Sequence, residues 1–114
     1  MTNIPVTRTE PGHATVHMPS NLDPYTAPDV RNAFIALVNE ETRYHLVADL
    51  TDVTFCDSTG LGVLVGALKR TQLHDGEVVL HNPSVRLANT LRVTGLTKTF
   101  EITYPDSVSA DGAR

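Results

Sequence analysis

The residues best equipped for chemistry lie together in thirteen positions, Thr54-Phe55-Cys56-Asp57-Ser58-Thr59-Gly60-Leu61-Gly62-Val63-Leu64-Val65-Gly66. A thiol, a carboxylate and two adjacent hydroxyls precede a run of glycines and aliphatic residues. Three chemistries use such parts. Glycine-rich turns cradle phosphates with bare backbone, a serine or cysteine beside a base attacks a substrate, and a hydroxyl at the head of a helix accepts a covalent phosphate.

The first two fit poorly. A dinucleotide fingerprint needs its glycines in the turn itself, whereas Ser58 and Thr59 occupy the turn and the glycines fall inside the helix that follows. The next strand ends in His81-Asn82 where a ribose-binding acid belongs, and there is no Gly-Lys-Ser/Thr phosphate loop. Gly62 and Gly66, one helical turn apart, are expected to let the helix pack closely on a sheet. A nucleophilic serine favours a Gly-x-Ser-x-Gly turn and an oriented base. Here Asp57 stands where a small residue is wanted, and no spacing recommends His13, His17, His45, His74 or His81 as the base. Cys56 has an acid rather than a cation beside it, so it reads as a small buried hydrophobe. An enzyme using Ser58 or Cys56 is therefore disfavoured, and no catalytic, cofactor or metal residue is assigned. For Ser58 two readings stay open on helix chemistry: a helix N-cap, for which Asp57 competes, or a phosphate acceptor.

The elements that must position this stretch follow from pattern. Ile4 to Thr9 and Ala14 to Met18 flank a turn at Pro11-Gly12 and predict an N-terminal hairpin. Thr26-x-x-Asp29 resembles a capping box, Pro28 falls in the first turn, and Val30, Phe34, Leu37 and Val38 keep helical spacing. His45 to Leu50 is an apolar run suited to a buried strand. A second helix carries Leu61, Leu64, Val65 and Leu68 on one face, and Glu77 to His81 is a further strand. Asn82-Pro83 predicts an N-cap and first position for a third helix with Leu87, Ala88 and Leu91 inside and Gly95 at its end. Phe100 to Tyr104 is a last strand. The tail from 106 to 114 has little to bury and is expected to be loose or a short terminal helix.

The sum is an α/β domain over residues 1–114, β-β-α-β-α-β-α-β, with a mixed, largely parallel sheet. Function gathers at the carboxyl ends of strands in such sheets, so Asn21-Leu22-Asp23, Asp57-Ser58 and Asn82-Pro83 are expected to form one surface. Net charge of −4 with scattered Lys and Arg excludes the clustered basic surface that nucleic acid needs. One cysteine excludes an internal disulfide. The N-terminus lacks a signal-peptide pattern, and the longest apolar run, Gly60 to Leu68, is far short of the ~20 residues of a membrane span. A cytoplasmic protein without membrane contact is expected.

Leu50 to Leu64, with its Asp57-Ser58-Thr59-Gly60-Leu61-Gly62 core, resembles the signature of STAS domains, specifically the bacterial anti-sigma-factor antagonists. Leu22-Asp23-Pro24-Tyr25-Thr26-Ala27-Pro28-Asp29-Val30-Arg31 resembles the family's segment before its first helix, and Leu91 to Phe100 its late helix and exit. The chain departs from the family in reading Ser20-Asn21 where Gly-Glu is common and in the small Cys56. The resemblance implies that Ser58 is a regulatory phosphorylation site, with Thr59 as a neighbouring hydroxyl. It implies a partner-binding surface of Asn21, Asp23, Thr26, Asp57, Ser58, Thr59, Gly60 and Leu61. The implied partners are an anti-sigma factor that is also a serine kinase of the histidine-kinase-like ATPase type, and a PP2C-type phosphatase. The unmodified domain would capture the kinase and free a sigma factor for transcription, as in a stress response. The alternative within the family is a scaffold or ligand-sensing subunit of another signalling assembly, against which the short N-terminus favours a stand-alone antagonist.

Overall fold

Three internal strands share one alternating pattern of burial. In β2 (His13–His17), β4 (His45–Asp49) and β6 (Glu77–His81), every second residue is buried. The computed structural model, which describes residues 3–40 and 44–105, explains the alternation. The parallel register places Ala14, Leu46 and Val78 in one row and Val16, Ala48 and Leu80 in the next. These rows form the floor of the core, and the helices supply the other side. The tail expected at 106–114 lies outside the described residues.

The first hairpin pairs β1 (Val6–Glu10) antiparallel to β2, turning at Gly12 with φ of 82°. Two two-residue strands, β3 (Asn21–Leu22) and β5 (Phe55–Cys56), pair with each other away from the main sheet. The helices are α1 (Ala27–Glu40), α2 (Ser58–Leu73) and α3 (Val85–Val93), and a 3-10 turn at Leu96–Lys98 leads into β7 (Glu101–Thr103). The five-stranded sheet runs β1-β2-β4-β6-β7, parallel except for its first pair. This is the α/β architecture expected, with the β3–β5 ribbon added. Among the described residues no helix is long and apolar enough to cross a membrane.

Several local expectations change. His45 to Asp49 is not buried on both sides: His45, Val47 and Asp49 stay partly exposed. On that open face a hydrogen-bonded relay crosses the strands. His17 bonds Thr7 Oγ1 at 2.9 Å and Asp49 Oδ2 at 3.1 Å. Asp49 Oδ1 accepts from the Thr51 amide and hydroxyl, and Asn82 Nδ2 donates to Thr51 Oγ1. Burial alone pushes the Asp49 carboxyl up, but bonds from Thr51 and His17 together hold it below the usual aspartate value.

The third helix begins two residues later than the proline suggested. Ser84 is its N-cap, accepting from Leu87 N at 3.1 Å. Asn82 adopts φ of 57°, and its N–H donates to Thr103 O at 2.7 Å, extending the β6–β7 ladder. Asparagine tolerates that left-handed conformation better than most residues. Gly95, with φ of 82°, follows the end of α3 as expected. Gly62 and Gly66 are exposed, and a Cβ on either would meet nothing, so sheet packing does not require them.

Candidate functional site

The site rests on the β3–β5 ribbon. Two loops that are remote in sequence are brought together by its parallel pairs, Asn21 with Phe55 and Leu22 with Cys56. Ser20 O accepts from the Thr54 and Phe55 amides at 2.8 and 3.1 Å, and Leu22 O accepts from Asp57 N at 3.1 Å. The tightest contact involves Gly60. A Cβ there would lie 2.1 Å from Leu22 O and 2.9 Å from Asp23 N, so only glycine lets α2 approach this backbone.

Each loop also fastens itself. Asp23 Oδ1 accepts from the amides of Tyr25 at 2.9 Å and Thr26 at 3.0 Å, an Asx-type turn. Thr26 is buried, and its hydroxyl donates to Asn21 O at 2.7 Å and accepts from Asp23 N at 3.2 Å. The capping-box hydroxyl is thus turned back onto the β3 loop. At α2, Asp57 is the N-cap, with Oδ1 accepting from Gly60 N at 2.8 Å. That settles the competition between Asp57 and Ser58. The Ser58 hydroxyl is exposed and makes no hydrogen bond among the described residues.

The predicted site residues therefore divide by placement. Asn21, Ser58 and Thr59 are exposed, Asp23, Asp57 and Leu61 are half-buried, and Thr26 and Gly60 are buried. All eight belong to the two loops and helix starts that the ribbon joins. Pro83 is buried, and the Asn82 side chain donates to Thr51 rather than to any of these eight residues. Two exposed aromatics on these loops, Tyr25 and Phe55, escaped the sequence reading. The scarcity of aromatics, at 5% of the chain, was the one available signal.

The arrangement offers little to a nucleophile. His17 and His45 are bonded to Asp49 and Glu77, His81 to Thr103, and His13 and His74 to backbone carbonyls. None of these bonds reaches Ser58 or Cys56. Burial pushes the Cys56 thiol up, and the Asp57 charge adds to the effect, so the thiolate is disfavoured. Among the described residues, no group of three His, Cys, Asp or Glu side chains could hold a metal ion.

The STAS domain family model matches residues 5–110. The anti-sigma-B factor antagonist of Listeria monocytogenes is 36% identical over 100 residues, covering 88% of this chain and 87% of the relative. An anti-sigma factor antagonist from Mycobacterium paratuberculosis superposes with a TM-score of 0.71 at 30% identity, covering 95% of this chain and 92% of that one. An anti-sigma-factor antagonist (STAS) domain protein from Planctomyces limnophilus, at 20% identity, shares the fold with a TM-score of 0.75 over 90% of both chains. The chain belongs to the STAS domain family, and within it stands with the anti-sigma factor antagonists.

Proposed function

We propose that the unmodified chain captures an anti-sigma factor that is also a serine kinase, so releasing a sigma factor, and that phosphorylation of Ser58 ends the capture. The observation that carries this reading is the exposed Ser58 hydroxyl at the head of α2, left unbonded because Asp57 does the capping. Asn21, Thr59 and the outer parts of Asp23, Asp57 and Leu61 complete the contact, while Thr26 and Gly60 act by holding the loops.

A phosphate on Ser58 adds about −1.5 to −2 charges. Within the chain this is tolerated, because the first turn of a helix favours an anion by ~0.3–1 kcal/mol. Against a partner it is not. The phosphate would have to be desolvated beside Asp57 and Asp23, and ~1.4 kcal/mol already costs tenfold in affinity. The fold persists and the interface is lost.

Catalysis then belongs to the partners. The kinase transfers the γ-phosphoryl of ATP: the Oγ–P bond forms, the bond to ADP breaks, and the hydroxyl proton passes to a base on the kinase. A PP2C-type phosphatase hydrolyses the ester and resets the switch. The chain needs no cofactor or enzymatic activity of its own, and it works in the cytoplasm, where ATP and sigma factors are.

Intact-mass analysis with the purified kinase and ATP tests the site. One phosphate is expected on wild type and none on Ser58→Ala; equal modification of both would refute the assignment. Ser58→Asp should melt like wild type and bind the kinase at least tenfold more weakly.

A further inference from the structure

Next to the Ser58 surface, the approach to β5 and helix α3 enclose a small cleft. Val53 and Leu87 are buried at its base, Cys56 and Thr90 are half-buried, and Phe55 and Arg86 are exposed at its edge. Its volume is about 50 Å³. Sites for metabolites run to roughly 300–1,000 Å³, so this one is sized for the end of a single side chain. It is also poor in free polar groups: the Thr90 hydroxyl already donates to Arg86 O at 3.2 Å, and the Cys56 Sγ is directed to Asp57 O. An apolar occupant fits.

Arg86 supplies the other half of the recognition. It is exposed, and no ion pair engages it among the described residues. An aromatic and an arginine beside a small apolar pocket is the composition that dominates binding energy at protein interfaces. The cleft is continuous with the site, because Phe55 and Cys56 lead directly into Asp57 and Ser58.

The geometry points to this cleft as the anchor pocket of the docking surface. It takes one branched aliphatic side chain of the protein that covers Ser58, with an acidic residue of that protein set against Arg86. The inference rests on the Ser58 reading and adds a charge pattern to it. The partner presents basic groups to Asp23 and Asp57 and an acidic group some way along, beside an aliphatic one. That pattern sets the orientation of docking and discriminates between related kinases.

The test measures binding of the purified anti-sigma-factor kinases of the source organism to wild type, Arg86→Glu, Thr90→Phe and Arg92→Glu, by calorimetry. Arg92 lies on α3 but lines a different cleft, with Ile102 and Tyr104, so its reversal controls for net charge. Arg86→Glu and Thr90→Phe should each raise Kd at least tenfold, and Arg92→Glu less than threefold. Arg86 is exposed, so its reversal should leave the melting temperature near wild type even if Thr90→Phe loosens α3. Unchanged binding by Arg86→Glu, or equal weakening by Arg92→Glu, overturns the proposal. Phosphate on Ser58, read by mass in the same samples, separates the two ideas. Wild type that binds but is not modified defeats the Ser58 reading and leaves the cleft comparison intact. Normal modification with all variants binding alike defeats the cleft alone, and a wild type that binds no such kinase overturns both.

Discussion

Replacing Gly60 by alanine is the sharpest test of how the site is held together. The added Cβ would sit 2.1 Å from Leu22 O, 2.3 Å from Leu22 C and 2.9 Å from Asp23 N. Ordinary contact begins near 3.4 Å, so α2 and the β3 loop must separate by more than an ångström, and the atoms in the way are backbone. Separation endangers the Asp57 N to Leu22 O bond and the ribbon pairing behind it. Each hydrogen bond lost is worth about 0.5–1.5 kcal/mol, and overpacking that is not relieved costs about 1–3 kcal/mol. Alanine returns at most ~1 kcal/mol of helix propensity. The net expectation is a loss of about 2–3 kcal/mol. At roughly 4 °C per kcal/mol for a chain of this size, melting should fall by about 8–12 °C. Gly62→Ala and Gly66→Ala meet open space and should instead gain up to ~1 kcal/mol. Calorimetric or circular-dichroism melts of the three variants make the comparison. A Gly60→Ala protein as stable as Gly62→Ala would refute the close-approach argument.

Other outcomes follow from single side chains. Asp57→Ala should cost about 1 kcal/mol through loss of the α2 cap, and Asp57→Asn much less, since asparagine caps comparably; urea unfolding reads the difference. Cys56 should react slowly with iodoacetamide at neutral pH, with the midpoint of its rate-against-pH profile above that of an ordinary thiol. Because burial is the larger cause, Asp57→Asn should bring that midpoint down only part of the way. Asp49 titrates lower in the folded chain than its ordinary 3.8, so its stabilisation is full above that range and is lost as pH falls through the lower folded value. Urea titrations between pH 2 and 7 should show this acid-side loss in wild type and a flatter profile in Asp49→Asn.

The order of elements was legible because each long helix and strand advertises its own period. The N-terminal hairpin, the three helices and the edge strand β7 all come from runs of five or more patterned residues or from turn chemistry at Pro11-Gly12 and Gly95. The β3–β5 ribbon was not, since two residues cannot display an alternation. Nor could spacing tell which glycine is packed: Gly60, Gly62 and Gly66 look alike in sequence, and only the position of Leu22 singles out the first. Asn82-Pro83 misled because its cap signal competed with Ser84, and β7 claimed the Asn82 amide for the sheet. The residues of the proposed site were named through motif, whereas Phe55, Arg86 and Thr90 meet only because α3 folds back onto β5.

The division of labour within the site is what the proposed Ser58 switch requires. Groups that would let the loops relax are already committed inward: one oxygen of Asp23, one of Asp57, the Thr26 hydroxyl and the Leu22 carbonyl. The side chains left outward, those of Asn21, Ser58 and Thr59, make no hydrogen bond among the described residues. Adding charge to Ser58 therefore breaks no internal bond, and the frame has little freedom to swing the phosphate aside. A soft loop would absorb the modification by moving. On the proposed function, a frame pinned at Gly60 would pass the repulsion to the docked partner, and the free energy of a Ser58 phosphate would appear in binding rather than in folding.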